Sequence, residues 1–309
     1  METIAIPLLL LVGSLLAVQA AANVQLSTAM ASPVGASALQ LAIGATLLLA
    51  LTAVAGALTA FELLDRAEPW HLLGGLGSAV YITAGILLFP RLGALVAVGL
   101  FIAGQMLASL LLDGFGWLGL AREPVSVVAA LGAAGVVLGA GLIVRAQAGG
   151  GALERAVRDR IAWIGLALLA GAVLPVQGAV NARLRTDLDA PVAAGAFSFL
   201  VATAAMTLAL AAYLTFAHAP RPQLGRARQI PWWGWLGGAC GAVYVTSVFL
   251  LIPEIGAAPT VALTVAGQQL AAVLVDRYGL LRLARRPISR RRILGVAVLL
   301  TGVALITLS

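Results

Sequence analysis

Four amide side chains recur at helical spacing inside long apolar stretches of the sequence. Gln19 and Asn23 are four residues apart, and Gln177 and Asn181 repeat that spacing in the second half of the chain. Residues four apart lie on one face of a helix, about one turn from each other. A buried amide needs hydrogen-bond partners. Two interpretations follow: the pairs line a polar pathway, or they hydrogen-bond to neighbouring helices, which contributes about 0.6 kcal/mol per bond.

A second set of polar residues combines an amide with a carboxylate on one helix stripe. Gln105 and Gln268 each follow a glycine in the middle of an apolar stretch. Asp113 and Asp276 come eight residues after these amides, which is about 12 Å along a helix axis. The carboxylates are therefore candidates for gating or for proton exchange with a substrate. The alternative is that Asp276, which precedes Arg277, is a solvated residue at a helix end.

Three further residues are candidates for the same pathway. Tyr81 and Tyr244 carry hydroxyl groups at equivalent positions, although packing explains such aromatic residues equally well. Glu254 has no arginine next to it in the sequence and is a candidate for the mouth of a cavity.

The histidine and cysteine content argues against several classes of function. His71 and His218 are the two histidines, Cys240 is the single cysteine, and neither histidine has a partner at ligand spacing. No metal site, cofactor site or catalytic triad can be assembled from them, so an enzyme is not expected. The net charge of +7 is spread over short loops, which argues against a nucleic-acid partner.

The composition is that of a membrane protein. Hydrophobic residues make up 61% and charged residues 10% of the 309 residues, whereas soluble domains carry about 25% charged residues. Apolar blocks of about 20 residues can each cross a bilayer, and they do so as helices because backbone groups must be paired there. Ten such blocks are present, at 4–26, 34–60, 70–89, 93–112, 125–145, 161–182, 191–217, 231–252, 255–275 and 292–308.

Glycine-rich runs within these blocks predict close contacts between helices. Gly74-Gly75 and Gly237-Gly238 stand near the start of the third and eighth blocks, and a further run extends from Gly132 to Gly139. Small residues let helix backbones approach each other in a membrane. None of these runs is a phosphate-binding loop, because no strand precedes them.

The ten blocks form two copies of one five-helix unit. Beyond the amides, Tyr81-Ile82-Thr83 matches Tyr244-Val245-Thr246, and the register set by this match then holds to the C-terminus. The segment between the copies begins with three glycines and continues with charged residues, which is typical of a linker. We predict a first repeat over 1–148, a linker over 149–160 and a second repeat over 161–309.

Because five is an odd number, the second repeat must enter the membrane upside down relative to the first. The charges agree with this inversion, since six arginines lie between blocks nine and ten and a seventh, Arg292, begins block ten, whereas the equivalent segment of the first repeat holds only Arg122. The positive-inside rule then places the linker in the cytoplasm and both termini outside. Inverted repeats are typical of transporters that bind substrate near the membrane midplane, at the repeat interface.

The repeated motifs resemble a known family. The Gln-x-x-x-Asn helix, Pro-Trp-Trp before a Gly-Gly pair, Tyr-Val-Thr, and Val-Ala-Gly-Gln followed by an aspartate look like the YdcZ branch of the drug/metabolite transporter superfamily. The resemblance covers nearly the whole chain and implies a ten-helix carrier of metabolites or drugs. Small multidrug exporters of that superfamily carry a glutamate in the first helix, where this chain has Gln19 and Gln177, so proton-coupled cation export through such a glutamate is not implied.

These observations predict an all-α, polytopic protein of the inner (plasma) membrane with ten transmembrane helices in two inverted repeats. Its predicted function is secondary transport, with export of a small metabolite or drug by alternating access between the repeats. The predicted partners are a small-molecule substrate and the lipid bilayer, and the fusion of both repeats suits a monomer. Two alternatives stay open: a lipid flippase or scramblase, and a membrane structural subunit without transport.

Overall fold

A computed structural model of the protein describes residues 2–120, 122, 124–148, 153–217, 220–255 and 257–308. Within these ranges the long elements are α-helices and no residue lies in a strand. The long helices are α1 (Glu2–Met30), α2 (Pro33–Val54), α3 (Gly75–Leu92), α4 (Ala94–Phe115), α5 (Val127–Ala148), α6 (Leu153–Leu188), α7 (Pro191–Phe216), α8 (Gly237–Ile255), α9 (Ala257–Tyr278) and α10 (Arg290–Thr307). The predicted all-α fold is confirmed.

The long helices coincide with the ten predicted apolar blocks. Over the described residues, α1 to α7 are long and apolar enough to cross a membrane. For α8 the apolar run within the described residues is Gly237–Val248, and α10 begins with three arginines. The chain is therefore a membrane protein with several spans, and the crossing of the membrane by all ten helices stays a prediction.

The turns before and after the helices repeat the sequence duplication. Ala31 before α2 and Asp189 before α7 have φ angles of 51° and 47°, and a proline begins the next helix two residues later in both cases. Proline suits the first helical turn because that turn needs no N–H donor. Gly116 and Gly279 follow α4 and α9 in the left-handed region, at φ 66° and 63°. The two copies thus share local backbone conformation as well as sequence.

The chain divides into two compact units, and the first consists of Met1–Ala17, Leu88–Pro175 and Ile255–Ser309. In this unit α5 packs along α10, and α4 packs against α9. A methyl group added at Gly132 of α5 would lie 2.7 Å from the carbonyl oxygen of Gly302 in α10. The contact therefore needs glycine, as the glycine-rich run predicts.

Two further glycine contacts in the first unit are equivalent under the duplication. A methyl group at Gly171 of α6 would collide with the carbonyl oxygen of Phe101 in α4. A methyl group at Gly13 of α1 would collide with the carbonyl oxygen of Thr264 in α9. The N-terminal parts of α1 and α6 therefore each cross a helix from the other sequence copy at backbone contact.

The second unit consists of Val18–Leu87 and Val176–Glu254. In it α2 packs along α7, and the ring of Phe199 fills the space that Gly44 leaves open, 2.6 Å from where a Cβ would stand. The buried core here includes the large side chains of Leu26, Met30, Leu41, Leu48, Ile82, Ile86, Phe199 and Met206. The four amides singled out above all lie in this unit.

Each unit draws on both sequence copies, so the units are not the repeats. The predicted boundaries of the repeats therefore stay a prediction. Helix α6 begins at Leu153, so the second part of the predicted linker is helical, whereas 149–152 lie outside the described residues.

Candidate functional site

The C-terminal half of α1 contacts the start of α8 through amides and glycines. We call this contact the first seam, formed by Gln19, Asn23, Gln40, Gly237, Gly238 and Gly241. The side chain of Asn23, which is 1% exposed, places Oδ1 where a Cβ of Gly237 would be. Gln19 Nε2 lies 2.7 Å from the position of a Cβ at Gly241. Because glycine has no Cβ, the amides reach the backbone of α8.

The C-terminal half of α6 contacts the start of α3 in the same way. We call this contact the second seam, formed by Gln177, Asn181, Ser198, Gly74, Gly75 and Ser78. Asn181 Oδ1 lies against Gly74, where a Cβ would stand. Gln177 Nε2 donates to Ser78 Oγ at 2.7 Å, and Asn181 Nδ2 donates to Ser198 Oγ at 3.1 Å. The polar side chains of this seam are buried.

The two seams are equivalent under the duplication. The amides of α1 correspond to those of α6, and the glycines at the start of α3 correspond to those at the start of α8. In each seam the amide side chains come from one sequence copy and the glycines from the other. The structure therefore brings each predicted amide pair onto a glycine-rich helix start of the opposite copy.

Several amide atoms of the seams have no hydrogen-bond partner among the described residues. Both Nδ2 and Oδ1 of Asn23 are unpaired, and so are Asn181 Oδ1 and Gln177 Oε1. An unpaired buried amide costs about 1–3 kcal/mol. These atoms retain both donor and acceptor capacity that a bound solute can use.

Gln40 of α2 belongs to the first seam, although its place in the sequence does not indicate this. Its Oε1 accepts a hydrogen bond from the backbone N–H of Gly238 at 2.7 Å, and its Nε2 donates to the carbonyl oxygen of Gly234 at 3.0 Å. It thereby pairs a backbone N–H in the first turn of α8, where the helix itself supplies no acceptor. Its equivalent in the second copy is Ser198, so a search for identical residues in the two copies does not reveal it.

We expect Gln40→Leu to lower the free energy of unfolding by about 1–3 kcal/mol, because it leaves the Gly238 N–H and the Gly234 carbonyl unpaired in an apolar contact. Unfolding of the purified protein in detergent, followed by circular dichroism, measures this loss. The matched control is Thr46→Val on the exposed face of the same helix, where the hydroxyl bonds only to Ala42 O of its own helix. Equal unfolding curves for the two variants would contradict the role of Gln40.

Gln105 and Gln268 belong to the first unit, and their role in a pathway stays a prediction. Both are buried, and Gln105 Nε2 has no partner among the described residues. The adjacent Gln269 was not predicted, yet it is 0% exposed and both of its amide atoms are unpaired in the described chain. Its Nε2 lies 3.7 Å from where a Cβ of Gly99 would stand. The equivalent residue of the first copy is Met106, so a comparison of the two copies does not identify Gln269 as a candidate.

The positions of Tyr81, Tyr244 and Glu254 do not test whether these residues line a solute pathway. Tyr81 of α3 is buried and Tyr244 of α8 is half-buried. The side chain of Glu254 lies outside the described residues. Their assignment to a solute pathway or to its mouth stays a prediction.

The alternative interpretation of Asp276 as a solvated residue is wrong. Its side chain is buried at the end of α9 and accepts hydrogen bonds from the backbone N–H groups of Ala94 at 2.9 Å and Leu95 at 3.2 Å. Arg292 Nη2 of α10 lies 3.1 Å from Asp276 Oδ2, and this arginine is also buried. A carboxylate removed from water needs such partners, and this one caps the first turn of α4. Its part in gating or proton exchange stays a prediction.

The equivalent Asp113 has different surroundings. It is half-buried at the end of α4, and the position equivalent to Arg292 is taken by the buried Ala129. The second copy therefore holds an arginine beside its aspartate that the first copy does not have.

His71 has a partner that its sequence neighbours do not indicate. Its Nδ1 lies 2.5 Å from Oδ2 of Asp187, which is 116 residues away in the last turn of α6. His218 lies outside the described residues. A contact between residues so far apart in sequence cannot be found from spacing.

Comparison with known proteins decides the family. The profile of the family described as "Putative inner membrane exporter, YdcZ" matches residues 4–142 and 162–305, which is most of the chain. The chain belongs to the YdcZ family. This chain is similar to a solved structure described as "Crystal structure of protein". The similarity covers 97% of this chain and 96% of that one, with a TM-score of 0.58 and 20% sequence identity, which shows a shared fold. No curated protein matches the chain.

Membership of the YdcZ family confirms the resemblance in the sequence motifs. The family is one of inner-membrane exporters, so this YdcZ protein is a multi-pass membrane protein with a function in export. The matched segments lie on either side of 143–161, which contains the predicted linker.

Proposed function

We propose that this YdcZ-family protein is a secondary carrier that exports a small polar organic solute by alternating access, with the two seams as its solute site. The observation that carries the proposal is Asn23, whose amide is buried and has no partner for either atom within the described part of the chain. A helix contact that served only to hold helices together would gain from pairing those atoms. An amide left unpaired at a stability cost is therefore a candidate for binding a ligand.

The chemistry of the seams favours an uncharged solute. Their side chains are amides and hydroxyls, which donate and accept hydrogen bonds but carry no charge. An ion at this depth of a membrane protein needs a countercharge, and none of the seam residues supplies one. We therefore propose a neutral metabolite or drug with several hydroxyl, amide or carbonyl groups.

The equivalence of the seams supports alternating access. Each seam joins the two sequence copies, and each places the same pair of amides on the same glycines. A carrier with an inward state and an outward state related by symmetry needs two such interchangeable contacts. When one seam opens, its amides leave the glycines and become accessible to the solute.

The orientation follows from the arginines. We propose that both termini face outside, that the linker is cytoplasmic, and that the single chain functions as a monomer in the lipid bilayer. The turn before α7 and the segment before α3 then lie on the outer side.

We expect Asn23→Ala and Asn181→Ala to reduce transport about tenfold each, because a lost hydrogen bond to a solute is worth about 1 kcal/mol or slightly more. The solute is first found by a thermal-shift screen of the purified protein against metabolite and drug panels, since a specific ligand stabilises the folded state. Flux of that solute is then measured in proteoliposomes. The Asn23→Ala variant should unfold no more easily than the wild type, because the Asn23 amide has no bond to lose.

The matched control is Thr186→Ala on the exposed face of α6, where the hydroxyl bonds only to Ala182 O of the same helix. Full transport by the asparagine variants would refute the proposed site. Lipid translocation without solute flux would favour a flippase or scramblase. Absence of both activities would favour a structural subunit.

A further inference from the structure

A contact between an imidazole and a carboxylate lies next to the second seam. His71 lies in the short helical segment Pro69–Leu73 that leads into α3, and Asp187 lies in the last turn of α6. Their Nδ1 and Oδ2 atoms are 2.5 Å apart, with 9% of the His71 side chain and 23% of the Asp187 side chain exposed. The histidine is thus enclosed, while the carboxylate keeps contact with solvent.

The His71–Asp187 pair continues a series of polar contacts that runs along the second seam. Going down α6 from Gln177 to Asn181 to Asp187, the partners on the other side run from Ser78 to Gly74 to His71. The polar contacts therefore run antiparallel along the two chain segments, and the His71–Asp187 contact is the last in the series.

The first seam has no such pair. The residues equivalent to His71 and Asp187 are Gly234 and Ala29, which carry no ionisable group. The residue equivalent to Ser78 is Gly241. The two seams are therefore alike at their amides and different at this end.

We propose that His71 and Asp187 form a proton-binding site that couples solute export to a proton gradient by closing the second seam when a proton binds. This inference rests on the proposed function, because coupling requires a transported solute. The site is distinct from the embedded glutamate of small multidrug exporters, which this chain lacks.

The proton balance of the site is simple. In the unprotonated pair, the His71 Nδ1–H donates to the Asp187 carboxylate, Nε2 is free of a proton, and the pair carries one negative charge. A proton from water binds at Nε2 and makes the pair an imidazolium and a carboxylate without net charge. The carboxylate is charged in both states, and protonation also makes the donor a cation, so the attraction of opposite charges is added and tightens the contact between α6 and the segment before α3. Histidine is the side chain that ordinarily changes charge between pH 5 and 8.

The charged groups around the pair are of both signs. The part of the chain that contains and precedes His71 carries Glu62, Asp65, Arg66 and Glu68. Of these, Glu68 accepts a hydrogen bond from Trp70 Nε1 at 2.6 Å. On α6 and the turn after it, the charged groups around the pair are Arg183, Arg185 and Asp189. Helix α7, which packs against the His71 segment, has no charged residue within its range Pro191–Phe216.

The position of the site fits export. On the proposed orientation the pair lies on the outer side, so protons arriving from outside reach it through the exposed edge of Asp187. Binding of the proton would close the seam after the solute has left outward, and release of that proton toward the cytoplasm would allow the seam to open again. Exchange of an outward solute for an inward proton is the outcome expected of such a site.

The first test observes the pair itself. The chain contains two histidines, so ¹⁵N-histidine labelling in nanodiscs gives two imidazole signals that His218→Gln separates. We expect a low-field proton resonance from the short His71–Asp187 bond in the wild type and in His218→Gln, and its loss in His71→Gln and Asp187→Asn. The Trp70 ring, whose centroid is 4.1 Å from that of His71, provides a second reporter. Its fluorescence, taken as the difference from Trp70→Phe, should change with pH in the wild type and not in His71→Gln.

The second test observes the seam. Spin labels at Leu73→Cys and Ala182→Cys, both exposed positions on either side of the pair, are introduced with Cys240→Ala. We expect the label distance to increase as the pH is raised from about 5 to about 8, the range in which histidine side chains ordinarily change charge, and to be independent of pH in both His71→Gln and Asp187→Asn. If the imidazole signal of His71 changes with pH while the label distance stays fixed, the pair is only a structural contact and the proposal is overturned. If one variant does not fold, the other and the wild type still decide between these outcomes.

The third test separates this inference from the proposed function. With the solute found by the thermal-shift screen, proton-driven efflux should fall at least tenfold in His71→Gln and Asp187→Asn, while solute counterflow without a gradient persists. Unchanged proton-driven efflux would overturn the coupling and leave the carrier intact. Absence of solute flux in the wild type would count against the proposed function, and the seam measurement alone would then decide whether the pair is a proton switch.

Discussion

Replacing Gly171 by alanine should destabilise the protein, whereas the same substitution at Gly165 or Gly178 on the same helix should not. At Gly171 the added methyl group would meet the carbonyl oxygen of Phe101, a backbone atom that cannot rotate away. At Gly165 and Gly178 nothing lies within 4 Å of the methyl position. The three variants therefore carry an identical chemical change in one helix and differ only in what the methyl group contacts.

The expected magnitudes have opposite signs. Overpacking of a close contact costs about 1–3 kcal/mol, and a backbone collision should reach the upper end of that range because α6 and α4 must move apart. Alanine in place of glycine within a helix gains up to about 1 kcal/mol where there is room. Thermal unfolding of the purified proteins, with monodispersity on a sizing column, measures both. Equal stabilities for all three variants would show that the helices are not in backbone contact at Gly171.

Replacing Asp276 by alanine should cost about 3–5 kcal/mol of folding free energy, the largest effect that we expect of any single substitution in this chain. The change removes the carboxylate that balances the charge of the buried Arg292, and it removes the acceptor for the N–H groups of Ala94 and Leu95. Arg291→Ala, which changes an exposed neighbour of Arg292, is the control and should have little effect.

The double variant Asp276→Ala with Arg292→Met tests the reason for that loss. If the uncompensated charge of Arg292 causes most of the destabilisation, removing that charge as well should recover a large part of the stability. If the double variant is as unstable as Asp276→Ala alone, the loss comes from the uncapped start of α4. A stable Asp276→Ala protein would contradict both explanations.

Most of the fold could be predicted because the membrane imposes strong local rules. Apolar blocks of the right length must be helices, and the duplication then fixes which residues are equivalent. The seam amides Gln19 and Asn23 were found for the same reason, since their spacing is repeated in the second copy. The glycine-rich runs were correctly predicted to mark close contacts, although the sequence could not say which helix each run would meet.

The unpredicted part of the site consists of contacts between residues far apart in sequence. Gln40 bonds to Gly234 and Gly238, which belong to the other copy, and its own equivalent there is a different residue type. The surroundings of Asp276 were misjudged because Arg277 is its neighbour in sequence, whereas the residue that pairs with it is Arg292 on the next helix. His71 was not predicted as a site residue because no potential partner lies at ligand spacing from it in the sequence. In all three cases tertiary packing, and not local spacing, supplies the partner.

On the proposed alternating-access function, the difference between Ala129 and Arg292 bears on the resting state of the carrier. In an assembly of two identical five-helix chains, every substitution occurs twice, once toward each side of the membrane, so the inward and outward states have equal energy at rest. Such a symmetric assembly therefore has no preferred resting state. A fused chain can place an arginine beside Asp276 and an alanine at the equivalent position near Asp113. Joining the copies therefore allows the resting balance between the two states to be set by single residues.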